Sequence, residues 1–376
     1  MNPRPATNLP PAKLLGSISP SKLATVEACI LKEACKGVNG SLLPRFPKGF
    51  LGAVAHKIIE MGAKGLLIGE QREPSEVWDR LVAEAEARII QNPIESHLVP
   101  LKRSCTEYFL IRARAIRAAA QLSHSAYLPK SAVGQPDNGL GYEIAVSSED
   151  EVVKGRIDAV TIDGGALTIS DYKTGAVLLE DAGVSQIKPE YEVQLKLYAA
   201  IYHKTYRRWP DRLVLLNLHG RHFEVAFTRE ECECLLVRAK EAFDIMNNRI
   251  HTALQRGDME SLANPTPDAC RFCVLRPGCK AYCEARQSRP NAEWPHDVWG
   301  KIETKTLSFA DLWAACLSES SVPGEKAVIR RLSGGARHPH LEMAAQGSVI
   351  AVFSLRKEGG SESYAESATT VVYRLE

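Results

Sequence analysis

An α/β fold followed by a small β-rich module is predicted for this chain of 376 residues by three observations. A strand–turn–strand unit lies near the middle, helical stretches flank it on both sides, and runs of β-branched residues fill the C-terminal part. The central unit spans Glu151 to Thr174. Val152-Val153, Ile157 to Ile162 and Leu167 to Ile169 are strand-like, and Gly164-Gly165 between them reads as a two-residue hairpin turn. With Asp163 opposite Ala166, the register places Asp158 across from Asp171, their Cβ atoms about 5 Å apart. Strand alternation then puts Lys173 on the face of Asp171. Two carboxylates on otherwise apolar strands repel, and a bound divalent cation would relieve that repulsion where a purely structural pair would be costly. An Asp–Lys–Asp charge network on a solvated face is the plainer alternative.

Composition narrows the class. A net charge of +2 with 24% charged residues does not mark the whole chain as a nucleic-acid binder, so any such groove is a local patch. No apolar run is long enough to span a membrane, and the start lacks the pattern of a signal peptide. Ten cysteines without such a signal point to a reducing, cytoplasmic setting, where clustered thiols more often bind metal than form disulfides. Residues 1–14, rich in proline, are expected as a disordered lead.

In chain order, Ser19-Pro20-Ser21 caps a helix expected through Lys36 that carries Cys29 and Cys35. Further helices are expected at Gly52 to Leu66, with His56 inside, at Glu76 to Gln91, and at Cys105 to Ser123 with Arg112, Arg114 and Arg117. Taken alone, each is an ordinary core or solvated face. Gly139 to Ser148 reads as a strand containing Glu143. After the central hairpin, Ile187 to Tyr206 forms a long helix with Gln194 and Tyr198 one turn apart and Val193, Leu197, Ala200 and Ile201 as its core stripe. Arg212 to Leu218 and Arg221 to Phe227 make a strand pair, and Thr228 starts a helix to about Arg256. Cys270-x2-Cys273-x5-Cys279-x3-Cys283 is a strong metal signal. Asn291 to Trp299 marks a boundary. Beyond it lie a helix capped at Ser308 and strands at Lys326 to Leu332, Ser348 to Leu355 and Thr369 to Leu375. This 296–376 module has an OB-like barrel as one option.

Gly155-Arg156-Ile157-Asp158 and Asp171-Tyr172-Lys173-Thr174-Gly175, with Gln194-Leu195-x-Leu197-Tyr198-Ala199 some twenty residues later, resemble the PD-(D/E)XK nuclease superfamily over about Pro20 to Glu284. The resemblance is greatest to its RecB-like branch, which includes the CRISPR-adaptation nucleases. It implies a restriction-endonuclease-like core of a mixed central sheet flanked by helices, over residues 15–290. It also implies Mg2+ or Mn2+ held by Asp158, Asp171, His56 and the main-chain carbonyl of Tyr172, with Lys173 acting on the attacking water and Gln194 and Tyr198 contacting DNA or steadying the lysine. Some relatives carry a glutamate where this chain has Glu143. In iron–sulfur members a cysteine on the first helix joins the C-terminal group, which here selects Cys29 with Cys270, Cys273 and Cys279 for a 4Fe-4S cluster. A local zinc site that includes Cys283 is the alternative.

The resulting expectation is a metal-dependent deoxyribonuclease. An exonuclease acting on single-stranded or free-ended DNA is favoured, in repair, recombination or phage defence, with a helicase-type partner. Two readings compete: an inactive DNA-binding scaffold on a nuclease fold, and an iron–sulfur redox sensor. The second leaves the alignment of Asp158, Asp171 and Lys173 unexplained.

Overall fold

The computed structural model describes residues 4–36, 41–67, 73–125, 138–181, 184–308, 310–321, 326–359 and 362–375. The chain opens with α1 (Leu23–Ala28) and α2 (Ile30–Ala34), then α3 (Pro47–Ala63), α4 (Pro74–Ile90), α5 (Leu101–Ser104) and α6 (Tyr108–Ser125). Proline at the first helical position starts both α3 and α4, since its fixed φ suits that place and its missing N–H is not needed there. The single helix expected from Ser19 to Lys36 is broken. Cys29 is extended, with φ −163° and ψ 107°, and separates α1 from α2.

A mixed sheet follows, as the fold class required. Its strands are β1 (Gly141–Ser147), β2 (Lys154–Asp163), β3 (Ala166–Lys173), and, after the small β4 (Leu178–Asp181) and β5 (Val184–Ile187) ribbon and α7 (Pro189–Tyr206), β6 (Arg212–Asn217) and β7 (His222–Glu224). The order is β1-β2-β3-β6-β7, with β3 parallel to β6 and the other pairs antiparallel. The β2–β3 ladder runs from Asp163↔Ala166 to Ala159↔Ser170, the register read from the Gly-Gly turn. Gly164 and Gly165 have φ of 57° and 87°, positive values that favour glycine in a two-residue hairpin loop.

Helices cover both faces. Leu195, Leu197 and Ile201 of α7 pack with Val160, Leu167 and Ile169 in one core, shared with α8 (Arg229–Arg256), whose start carries a reciprocal Thr228–Glu231 capping box. A second core joins α3, α4 and α6, with Tyr172 of β3 against it. Then come α9 (Pro267–Arg271), α10 (Lys280–Ser288) and a seven-stranded sheet built from β8 (Val298–Leu307), β9 (Leu312–Ser318), β10 (Ala327–Ser333), β11 (Val349–Phe353), β12 (Arg356–Lys357), β13 (Ser363–Ala365) and β14 (Val371–Leu375), with α11 (Pro339–Met343) before β11. Its order is β12-β13-β10-β9-β8-β11-β14, more strands than the five of an OB barrel.

Two expectations change here. The segment capped at Ser308 forms β9 rather than a helix, because Leu312 to Ser318 pairs with both β8 and β10, and a central ladder position overrides weak local propensity. The proline-rich lead is packed rather than loose from residue 4 onward. Ala6 N–H donates to Pro277 O at 2.7 Å, Lys13 N–H to Ala34 O at 2.9 Å, and Trp299 Nε1–H to Arg4 O at 3.1 Å. Asn247 bonds both the N–H and the carbonyl of Leu15.

Candidate active site and cysteine centre

The site lies where β2 and β3 part. Beyond Ala159↔Ser170 the next residues are Asp158 and Asp171, and there the Asp158 carboxylate takes over from the backbone ladder: Tyr172 N–H donates to Asp158 Oδ2 at 2.7 Å. Asp171 is 4% exposed. Its Oδ1 accepts from Gln194 Nε2 at 2.7 Å, and its Oδ2 lies 2.7 Å from Lys173 Nζ yet has no well-formed hydrogen bond among the described residues. Lys173 Nζ donates in turn to Gln194 Oε1 at 2.8 Å and sits 4.4 Å from the centre of the Tyr191 ring. Gln194 therefore bridges acid and base, and α7 holds both. Tyr198, one turn on, is buried and hydrogen-bonded to Gln194 and the Arg156 main chain. Tyr191, which the motif does not contain, is the residue sequence reasoning missed. Its spacing to Gln194, i to i+3 on the same helix, was the available signal.

Glycine permits close approach at two points around this network. A Cβ on Gly155 would come within 3.0 Å of the Tyr198 ring, and one on Gly52 within 2.9 Å of Thr174 Oγ1. The second contact brings α3 against the end of β3, and one turn later His56 Nδ1 stands 3.9 Å from Asp158 Oδ2. Glu143, opposed to Asp158 by the β1–β2 register, has φ 57° within a strand, and its Oε2 lies 3.5 Å from Arg156 Nε. Arg112 is committed to Asp79 at 3.3 Å.

Electrostatics follow from burial. Desolvation first, and the Asp171 carboxylate second, push the Asp158 carboxyl up to about 7. Desolvation likewise lowers His56 and so favours its neutral, ligating form. Burial raises the phenols of Tyr172 and Tyr198, which stay protonated. Among the described residues no three His, Cys, Asp or Glu side chains are drawn together tightly enough to hold a metal ion as they stand. The donors still suit a divalent cation in their chemistry: two carboxylates that repel, a buried oxygen lacking a well-formed hydrogen bond, and a neutral imidazole 3.9 Å from Asp158. Because Gln194 bonds Asp171 and Lys173, Gln194→Ala should slow turnover about tenfold or more. Cation affinity measured by calorimetry should stay within a fewfold of the parent, and a parallel loss of affinity would show that Gln194 belongs to the ligand set.

Buried cysteines from two distant segments lie near one another. Cys29 occupies the break between α1 and α2, and Lys32 Nζ ties α2 to the cysteine loop by donating to Ala269 O at 3.2 Å. Cys29, Cys270, Cys273 and Cys279 are all buried. Burial, then the neighbouring Cys273 and Cys29, push the Cys270 thiol up to about 12. Cys35, left aside in the sequence reading, is within the same electrostatic neighbourhood, pushed up to about 11 by burial and then by Cys273 and Cys29. Cys283 is raised by burial and then by Asp297. Arg276 Nη1 donates to the carbonyls of Cys270 (3.1 Å) and Cys273 (2.8 Å) and so shapes the loop. Buried thiols from two distant segments are a donor set that suits a thiophilic centre.

The model of the PD-(D/E)XK nuclease superfamily matches residues 17–280, a span that contains the whole hairpin site and three of the four C-terminal cysteines. No curated protein matches the chain. Among the described residues no helix is long and apolar enough to cross a membrane.

Proposed function

Since the chain belongs to the PD-(D/E)XK nuclease superfamily, we propose that it is a metal-dependent deoxyribonuclease of the RecB-like branch, acting on single-stranded or free-ended DNA. The observation that carries this reading is the buried Asp171–Gln194–Lys173 network set beside Asp158, inside the matched span. Asp158, Asp171, His56 and the Tyr172 carbonyl would hold Mg2+ or Mn2+. Bound there, the cation supplies Lewis acidity, lowering the pKa of water from about 15.7 toward 7 and offsetting charge on the phosphate. Gln194 and the Tyr191 face fix the Lys173 ammonium, so that it orients the attacking water and neutralises charge developing on the phosphodiester. Asp171 keeps Gln194 in the orientation that presents its carbonyl to Lys173.

Incubation with end-labelled single- and double-stranded DNA, in Mg2+, Mn2+ or chelator, tests the reading. Cation-dependent cleavage that shortens the single strand from an end is expected. Binding without cleavage in either metal would establish the inactive scaffold instead.

Of the cysteines, Cys29, Cys270, Cys273 and Cys279 are assigned to a structural 4Fe-4S cluster. The assignment is supported by the electrostatic neighbourhood that Cys29 shares with Cys270 and Cys273 across the two segments. Anaerobically purified protein should be brown and contain iron and sulfide. Cys29→Ser should lose the colour and Cys283→Ser should keep it. Colourless protein holding one equivalent of zinc, indifferent to Cys29→Ser but not to Cys283→Ser, would replace the cluster with a local zinc site.

A further inference from the structure

A cleft of about 1160 Å³ opens between the cysteine loop, the turn after α10 and the C-terminal sheet. At one side Phe46 and Phe272 meet edge to face, 5.3 Å between centroids, although the two side chains remain 45% and 62% exposed. Arg271 places its guanidinium 5.5 Å from the Phe272 ring. Arg286 lines the same cleft, stacked 5.0 Å from Trp299, and its Nη1 is buried without a hydrogen-bond partner among the described residues. Lys357 is a third cation there, while Asp268, Glu293 and Glu362 also line the walls. Arg276 is taken up by Asp297. Charge is therefore level, whereas binding through phosphates alone needs an excess of cations. Exposed aromatic faces with a few cations suit the bases of a single strand, because every base has a π-face to stack. Phe46 is also the N-cap residue of α3, and His56 lies ten residues along that helix, about 15 Å away at 1.5 Å per residue.

We propose that this cleft binds single-stranded nucleic acid, with Phe46 and Phe272 stacking bases while Arg271 and Arg286 bond phosphate or base oxygens. The proposal rests on the nuclease reading and adds to it a contact surface outside the carboxylate site. Fluorescence anisotropy with labelled oligothymidine, on the whole 376-residue chain in chelator, tests it. Phe46→Ala/Phe272→Ala should weaken binding about tenfold or more. Its melting temperature should fall by no more than a few degrees and its metal content should match the parent, since the two residues are 45% and 62% exposed. Cleavage in Mg2+ should show a raised KM at unchanged kcat. With Arg271 and Arg286 each on a phosphate, log K against log salt should slope about −1.4, and Arg271→Ala should reduce that slope by about half. Parent protein that binds oligothymidine while the double variant binds within twofold overturns the cleft and leaves the nuclease reading intact. Parent protein that neither binds nor cuts single strands overturns both.

Discussion

Asp171→Asn and Lys173→Ala should each reduce DNA cleavage by about 10²- to 10³-fold, the loss expected when transition-state charge stabilisation is removed, while their effects on stability should run in opposite directions. Asp171 is buried and takes Gln194 on one oxygen and Lys173 on the other. An amide there removes one member of a repelling carboxylate pair, so thermal stability in chelator should rise. Lys173→Ala leaves the buried Asp171 without its cation, which destabilises the fold, and added Mg2+ should return part of the loss. The pH dependence has a definite sign. Burial and Asp171 raise the Asp158 carboxyl to about 7 from an ordinary value near 3.8, so the folded state binds a proton more readily than the unfolded chain. The resulting cost is absent below the unfolded value and complete above about 7. Asp158→Asn should therefore stabilise the metal-free protein more at pH 8 than at pH 5. Cleavage at the parent rate in either the Asp171 or the Lys173 variant, with contaminating nuclease excluded, would sink the active-site assignment.

Asp297→Ala should cost about 3–5 kcal/mol of folding stability, the usual loss when one partner of a buried ion pair is removed. Asp297 is wholly buried and Arg276 nearly so. The two are joined by bonds of 2.7 and 3.2 Å, and Asp297 further accepts from Tyr282 Oη at 2.7 Å and from Ser354 N–H at 2.7 Å. The same Arg276 holds the carbonyls of Cys270 and Cys273, so losing Asp297 frees the loop that presents those sulfurs. Urea unfolding reads the stability, and the rate of thiol labelling at Cys270 and Cys273 reads the loop. Ser354→Ala, which removes one hydrogen bond to Arg276, is the control and should cost about 1 kcal/mol. A loss below that control in Asp297→Ala, with thiols labelled at the parent rate, would show that the C-terminal sheet does not clamp the cysteine loop.

The stretch from Asp158 to Lys173 was legible in the sequence because its structure is local. Gly164-Gly165 sets the turn, the turn sets the register, and alternation carries Asp171 and Lys173 along one strand. Tyr191 and Glu143 were less legible, the first because an aromatic on a helix has many uses. The second depends on a positive φ within a strand, which composition does not announce. Three outcomes depended on distant partners. The break at Cys29 turns that residue toward a loop some 240 residues later (270 − 29 = 241 to Cys270). Residues 312–318 are a strand since β8 and β10 flank them, and the proline-rich start is ordered by α2, α8, Pro277 and Trp299. By itself the sequence determined the hairpin, its register and the chemistry its side chains can perform, all set by interactions across a few residues. Tertiary structure alone decided which cysteines share a neighbourhood, how α7 binds Lys173 to Asp171, and how the C-terminal sheet grips the cysteine loop, because burial and hydrogen bonding between remote segments exist only once the chain has packed.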